Sequence, residues 1–147
     1  MSLRRLKLLD TEVVESEGGG YEAIVKLRYQ DKNHIGIEKF ATDDEQQRVD
    51  AVSKAALEAL KVALPVPVDL YLKKAIKLTP EFLDDLLIVV MVDIYVDMRR
   101  LELTGCCVCM PENLEFGVVR ATLDATNRIV EFLFTKYKSK VPNPPTL

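Results

Sequence analysis

The stretch "KAALEAL" at Lys54–Leu60 is written a second time, in altered letters, as "RATLDAT" at Arg120–Thr126. Setting Ala55 on Ala121, an offset of 66 residues, also brings Val52 onto Val118, Lys54 onto Arg120, Leu57 onto Leu123, Glu58 onto Asp124 and Ala59 onto Ala125. Carried outward without a gap, the same offset sets Tyr29 on Tyr95, Asp31 on Asp97, and Ile35 and Ile37 on Leu101 and Leu103. Alanine and leucine match easily between any two helices. An ungapped order of strand, turn, strand, cap and helix does not, so the chain reads as an internal duplication with its boundary near Pro65–Pro67.

Around each helix the local patterns agree. In the first half Leu3–Val14 reads as a strand, "ESEGGG" at Glu15–Gly20 breaks it, and "AIVKLRY" alternates, with Val25, Leu27 and Tyr29 on one face. "QDKN" turns the chain, and "HIGIEKF" returns with Ile35 and Ile37 sharing a face. Thr42 with Glu45 forms a Thr-x-x-Glu capping box before the helix, whose apolar positions are Val49, Val52, Ala56, Ala59, Leu60 and Ala63; Pro65 and Pro67 stop it. The second half begins with Val68–Leu78 as a strand, then "TPEFLDD" as a turn or one helical turn. "LLIVVMVDIYVDM" follows as a strand apolar enough for both faces to be covered. "RR" is read as its turn, "LELTGCCVCM" as the return strand, and Pro111–Glu112 as the start of the second helix, with Lys136, Lys138 and Lys140 at its end. The predicted class is α+β: two tandem β-β-β-α units, residues 1–66 and 67–140, related by pseudo-twofold symmetry. Their antiparallel sheets pack with two helices as one compact domain, followed by a disordered tail at 141–147. One unit alone has too little apolar surface to stand.

Composition narrows the function classes. With 147 residues, 48% hydrophobic and 29% charged, the chain can bury a core without staples. A net charge of −3 offers no electrostatic footprint for nucleic acid or an anionic membrane. The one long apolar run, Leu86–Val92, is too short to span a bilayer, and the basic N-terminus lacks the apolar core of a signal peptide, so a cytoplasmic location is expected. The three cysteines, Cys106, Cys107 and Cys109, lie too close together for a disulfide framework and lack zinc-knuckle spacing, so they read as small buried hydrophobes, with no metal or cofactor expected.

The doubled unit, each ending in an Ala-x-Leu-x-Ala helix, resembles the C-terminal regulatory, leucine-feedback domain of 2-isopropylmalate synthase. The family's second helix reads like Ala-Tyr-Leu-Asn-Ala-Leu-Asn-Arg, and "ATLDATNR" matches it at Ala121, Leu123, Ala125, Asn127 and Arg128. "GGYEA" at Gly19–Ala23 is similar to its Gly-Gly-x-Asp-Ala turn, and Thr42-Asp43 to a Thr-Asp before its helix. The family's glycine-rich strand end is replaced here by "EKFATDD". The resemblance implies a non-catalytic small-molecule-binding or regulatory module, homodimeric, with an amino or 2-oxo acid as effector. Gly18, Gly19, Gly20, Glu22, Ala23, Thr42 and Asp43 are its candidate ligand residues.

Other classes compete. A purely structural or protein-interaction role, dimerisation without a ligand, is the near alternative. Double-stranded RNA binding is a distant one, because that fold needs lysines at a helix start, where this chain has Asp43, Asp44 and Glu45 in one unit and Glu112 and Glu115 in the other. Catalysis would have to come from Asp84 with Asp85, Asp93 with Asp97, His34 or Ser53. None sits in a recognisable catalytic pattern, and the expectation is that the chain is not an enzyme.

Overall fold

The computed structural model describes residues 6–140, apart from the side chains of 137–140. The expected disordered tail at 141–147 lies outside the described residues. Strands β1 (Lys7–Glu15), β2 (Tyr21–Tyr29) and β3 (Lys32–Phe40) form one antiparallel sheet, followed by helix α1 (Glu45–Ala63). Strands β4 (Asp69–Leu78), β5 (Leu86–Val96) and β6 (Arg99–Cys109) form a second, followed by a 3-10 turn at Pro111–Asn113 and helix α2 (Leu114–Lys140). This is the α+β arrangement of two β-β-β-α units. Helix α1 rests on β2 and β3 and reaches β4; α2 rests on β5 and β6 and reaches β1; the helices touch each other. Each sheet thus supports its own helix and lends its first strand to the other's, an exchange with twofold symmetry.

Two glycines set how close the layers lie. A Cβ built on Gly36 of β3 would stand 1.9 Å from the Ala55 carbonyl oxygen and 2.5 Å from the Ala59 nitrogen. One built on Gly105 of β6 would stand 2.2 Å from the Ala125 nitrogen and 2.4 Å from the Ala121 oxygen. Helix backbone therefore presses on strand backbone at both places. The four alanines, each buried, are small enough to permit it. Around this contact Val25, Leu27, Val52 and Leu60 fill the core in one unit, and Ile88, Val90, Val92, Val118 and Leu133 in the other. Between the helices, Ser53 Oγ lies 2.8 Å from Thr122 Oγ1, and Thr122 Oγ1 donates to the Val118 carbonyl, so Ser53 is the donor to Thr122. Both hydroxyls are fully buried.

The glycine contacts correct several sequence expectations. Ile35 and Ile37 do share a face, but it is the outer one: each is 50% exposed while Gly36 between them faces the helix. Both hairpins close with two residues at positive φ, Gln30–Asp31 and Asp97–Met98, at +49° and +64° in each case. Paired positive φ matches the twist of the strands they join. The second turn therefore precedes Arg99 and Arg100, which belong to β6. The turns correspond at an offset of 67, the glycines at 69 and the helix alanines at 66, so the duplication is not ungapped. The strands of the second hairpin have 11 residues where those of the first have 9. Tyr29 accordingly corresponds to Val96 rather than Tyr95. It is buried and stacks on Phe134 at 4.2 Å, whereas Tyr95 faces outward against Tyr71. A slip of one residue moves a side chain to the opposite face of a sheet.

The capping box is displaced as well. Asp44, not Thr42, caps α1, its carboxylate accepting from the Gln47 N–H at 3.2 Å, while Gln47 Oε1 accepts from the Thr42 N–H. "TPEFLDD" forms a turn held by the Leu83 N–H on the Pro80 carbonyl. Gly36→Ala and Gly105→Ala are each expected to lose about 2–3 kcal/mol in chemical denaturation, since neighbouring backbone cannot yield. Gly18→Ala, whose Cβ meets nothing within 4 Å, is expected to stay within about 0.5 kcal/mol of the parent.

Candidate functional site

The residues singled out from sequence fall in two places at one end of the first sheet. Gly18–Gly20 lie in the link between β1 and β2, closed by the Ser16 N–H on the Gly20 carbonyl and the Gly19 N–H on the Ser16 carbonyl. Gly20 combines a φ of +76° with a backbone approach that would put a Cβ 2.9 Å from the Phe40 oxygen, so no other residue fits there without strain. This link borders an open depression of about 910 Å³ that Gly18, Gly19, Gly20 and Glu22 line together with Lys39 and Phe40. Ser16 also lines it, with its hydroxyl buried and unpartnered. Glu15, Glu17 and Glu22 outnumber Lys39 on the rim. Ala23 is fully buried in the core and does not line the depression.

Thr42 and Asp43 lie just past Ala41, the last residue on that rim, and do not line it. The start of α1 is already occupied by the Asp44 carboxylate. Asp43 accepts from Arg48 at 3.0 Å, and the same guanidinium reaches Glu115 at 2.5 Å, tying the starts of the two helices together. Glu45 pairs with Lys77 at 2.7 Å and Gln46 Nε2 donates to the Ala75 carbonyl, fastening α1 to β4. These groups act as fasteners between the units.

The candidate catalytic groups are scattered. Asp93 pairs with Arg100 and Asp97 with Lys136, both at 3.3 Å, on separate parts of the surface. Ser53 is buried between the helices. His34 stands on β3 opposite Leu27. Among the described residues no three His, Cys, Asp or Glu side chains gather as a metal site would require, and no helix is long and apolar enough to cross a membrane. Cys106 is exposed and only Cys107 and Cys109 are half-buried, which corrects the expectation of three buried cysteines. Burial pushes the thiols of Cys107 and Cys109 above the ordinary range.

No family model matches the chain, and no curated protein matches it in sequence.

The surface of the chain is distinctive on the outer side of the second sheet. Leu78, Leu87 and Val108 stand in one cross-strand row and Ile76, Val89 and Cys106 in the next, by the register of β4, β5 and β6. Beyond Met91 the rows turn polar, with Asp93 and Glu102 beside Tyr71. The expectation that both faces of β5 are covered is thus corrected, because its residues alternate between buried and half-buried and, among the described residues, no helix lies on the outer side. On the first sheet, Ile24 and Ile37 pair on the outer side and Ile35 stands opposite Lys26. Sequence reading passed over both outer faces and both core glycines. The signals were present: a glycine inside the β3 and β6 patterns, and a β5 start, Leu86–Val92, with no polar residue.

Cys106 is expected to be alkylated first at neutral pH. Cys107 and Cys109 should lag and accelerate only as pH climbs past the usual thiol range, because a raised pKa withholds the thiolate. Site-resolved mass spectrometry over a pH series checks this order. Asp44→Ala should lose about 1 kcal/mol of stability, more than Thr42→Ala.

Proposed function

We propose that the chain is a non-catalytic module of the regulatory type that works by associating, first with a second copy of itself. The single observation that carries this is the character of its outward sheet faces. Apolar side chains stand there in cross-strand register, Leu78, Val108, Ile35 and Ile37 exposed and Ile76, Leu87 and Val89 half-buried. Single exposed apolar residues are ordinary, but aligned rows of them are association surfaces. The doubled β-β-β-α architecture supports the resemblance to the regulatory domain of 2-isopropylmalate synthase, and homodimers are the commonest closed assemblies. Sedimentation over a range of concentrations should give a reversible dimer; a monomer throughout would overturn self-association.

The depression at Gly18–Gly20 favours a second reading, small-molecule binding, because the Ser16 hydroxyl beside it is buried and unpartnered. Its acidic rim selects an ammonium-bearing ligand, such as an amino acid, over a 2-oxo acid. A thermal-shift series with both classes separates them. An amino acid at a hundred times its dissociation constant should add about 2.7 kcal/mol of stability, and no shift with any amino acid sinks this second reading.

A further inference from the structure

Two three-stranded sheets have four outer strands, and an outer strand with bare ladder groups invites pairing with another chain. Three of the four carry a device against it. In β1 the register breaks between Leu8 and Asp10, leaving Leu9 as an extra residue, and in β4 it breaks between Leu72 and Lys74, leaving Lys73. Such bulges twist an edge away from a flat partner. On β6 the Cys106 N–H is taken by the Asp124 carboxylate of α2 at 3.0 Å. The fourth, β3, runs in unbroken register with β2 from Lys32 to Phe40. By the glycine correspondence Ile37 holds the place of Cys106, so its N–H, like that of Ile35 two residues earlier, points off the open edge. Glu58, which corresponds to Asp124, does not cover it; its carboxylate is drawn to Lys61 at 3.2 Å.

We propose that β3 is the self-association edge, pairing antiparallel with β3 of a second copy about a twofold axis through Gly36. This pairing presupposes the self-association proposed above and assigns it to the first sheet, where Ile35 and Ile37 are the exposed apolar residues, and not to the outer face of the second. Gly36 bonds toward β2 opposite Val25, so on the free side it falls in a pair without hydrogen bonds, and the Ile35 and Ile37 positions exchange them. The sequence is self-complementary in that register. Ile35 meets the partner's Ile37, His34 meets the partner's Glu38, and Asn33 meets the partner's Lys39. The side chains of His34, Glu38 and Lys39 have no hydrogen-bond or ion-pair partner within the described residues. The two sheets would join into one of six strands, bringing the exposed Ile35 and Ile37 of both copies together on its outer face.

Because Ile35 and Ile37 are half exposed and face away from the core, charges can be placed there without unfolding the protein. I35K/I37K sets lysine against lysine across the axis and should weaken the dimer about tenfold or more by sedimentation. I35K/I37E sets lysine against glutamate in this register alone and should recover most of that loss. Val89→Lys, on the outer face of the second sheet, should leave the dimer intact. The proposal is overturned by an I35K/I37K dimer as tight as the parent, by I35K/I37E no tighter than I35K/I37K, or by dissociation with Val89→Lys alone. A parent chain that stays monomeric would remove self-association itself, whereas a dimer indifferent to residues 35 and 37 would remove only the β3 assignment.

Discussion

The fold depends on one contact made twice, helix backbone laid on strand backbone at Gly36 and at Gly105. Helices usually stand off a sheet by the depth of their side chains. Here Ala55 and Ala59, and Ala121 and Ala125, are spaced one helical turn apart and present only methyl groups, and the facing strand presents no Cβ at all. The close approach fixes the height of each helix and its rotation, because turning either one would drive a larger side chain into the strand. With both helices held so, Ser53 donates to Thr122 at their crossing, and the buried Thr122 and Thr126 hydroxyls donate in turn to carbonyls of α2.

This packing has a functional consequence. Backbone-to-backbone contact leaves little room inside either unit, so polar chemistry is displaced to the ends and edges. Asp43, Arg48 and Glu115, and Glu45 with Lys77, join the units at the helix starts. Partly exposed ion pairs of this kind contribute modestly each, and they tie the two helix starts to each other and α1 to β4. What remains available to a partner is the outer side of the sheets, their edges and the shallow ground beside Gly18–Gly20.

The duplication is symmetric where packing demands it and asymmetric where solvent permits change. Glycine and paired alanines recur in both units, as do turns with the same two positive φ values. The edges have diverged. Asp124 bonds the β6 backbone, while Glu58 in the same place pairs with Lys61. Hairpin length has also changed by two residues per strand, a step that preserves the face of every side chain. An odd change would have turned the apolar residues of β5 outward.

Element order, the two helices and the repeated unit were legible in the sequence because hydrophobic period and Pro and Gly punctuation report local structure directly. The candidate site was legible only in part: the Gly18–Gly20 link does border a depression, but its rim ends at Ala41, short of Thr42 and Asp43. Which face of a strand turns inward was decided by tertiary structure. In "HIGI" the isoleucines are the apolar residues, and hydropathy alone points them at the core. The helix took the glycine side instead, because only a residue without a Cβ lets Ala55 and Ala59 come into backbone contact. The long apolar run of β5 likewise predicts cover on both faces, yet one sheet and one helix per unit can cover only one. Sequence reports which residues avoid water; the closeness of two backbones decides which of them succeed.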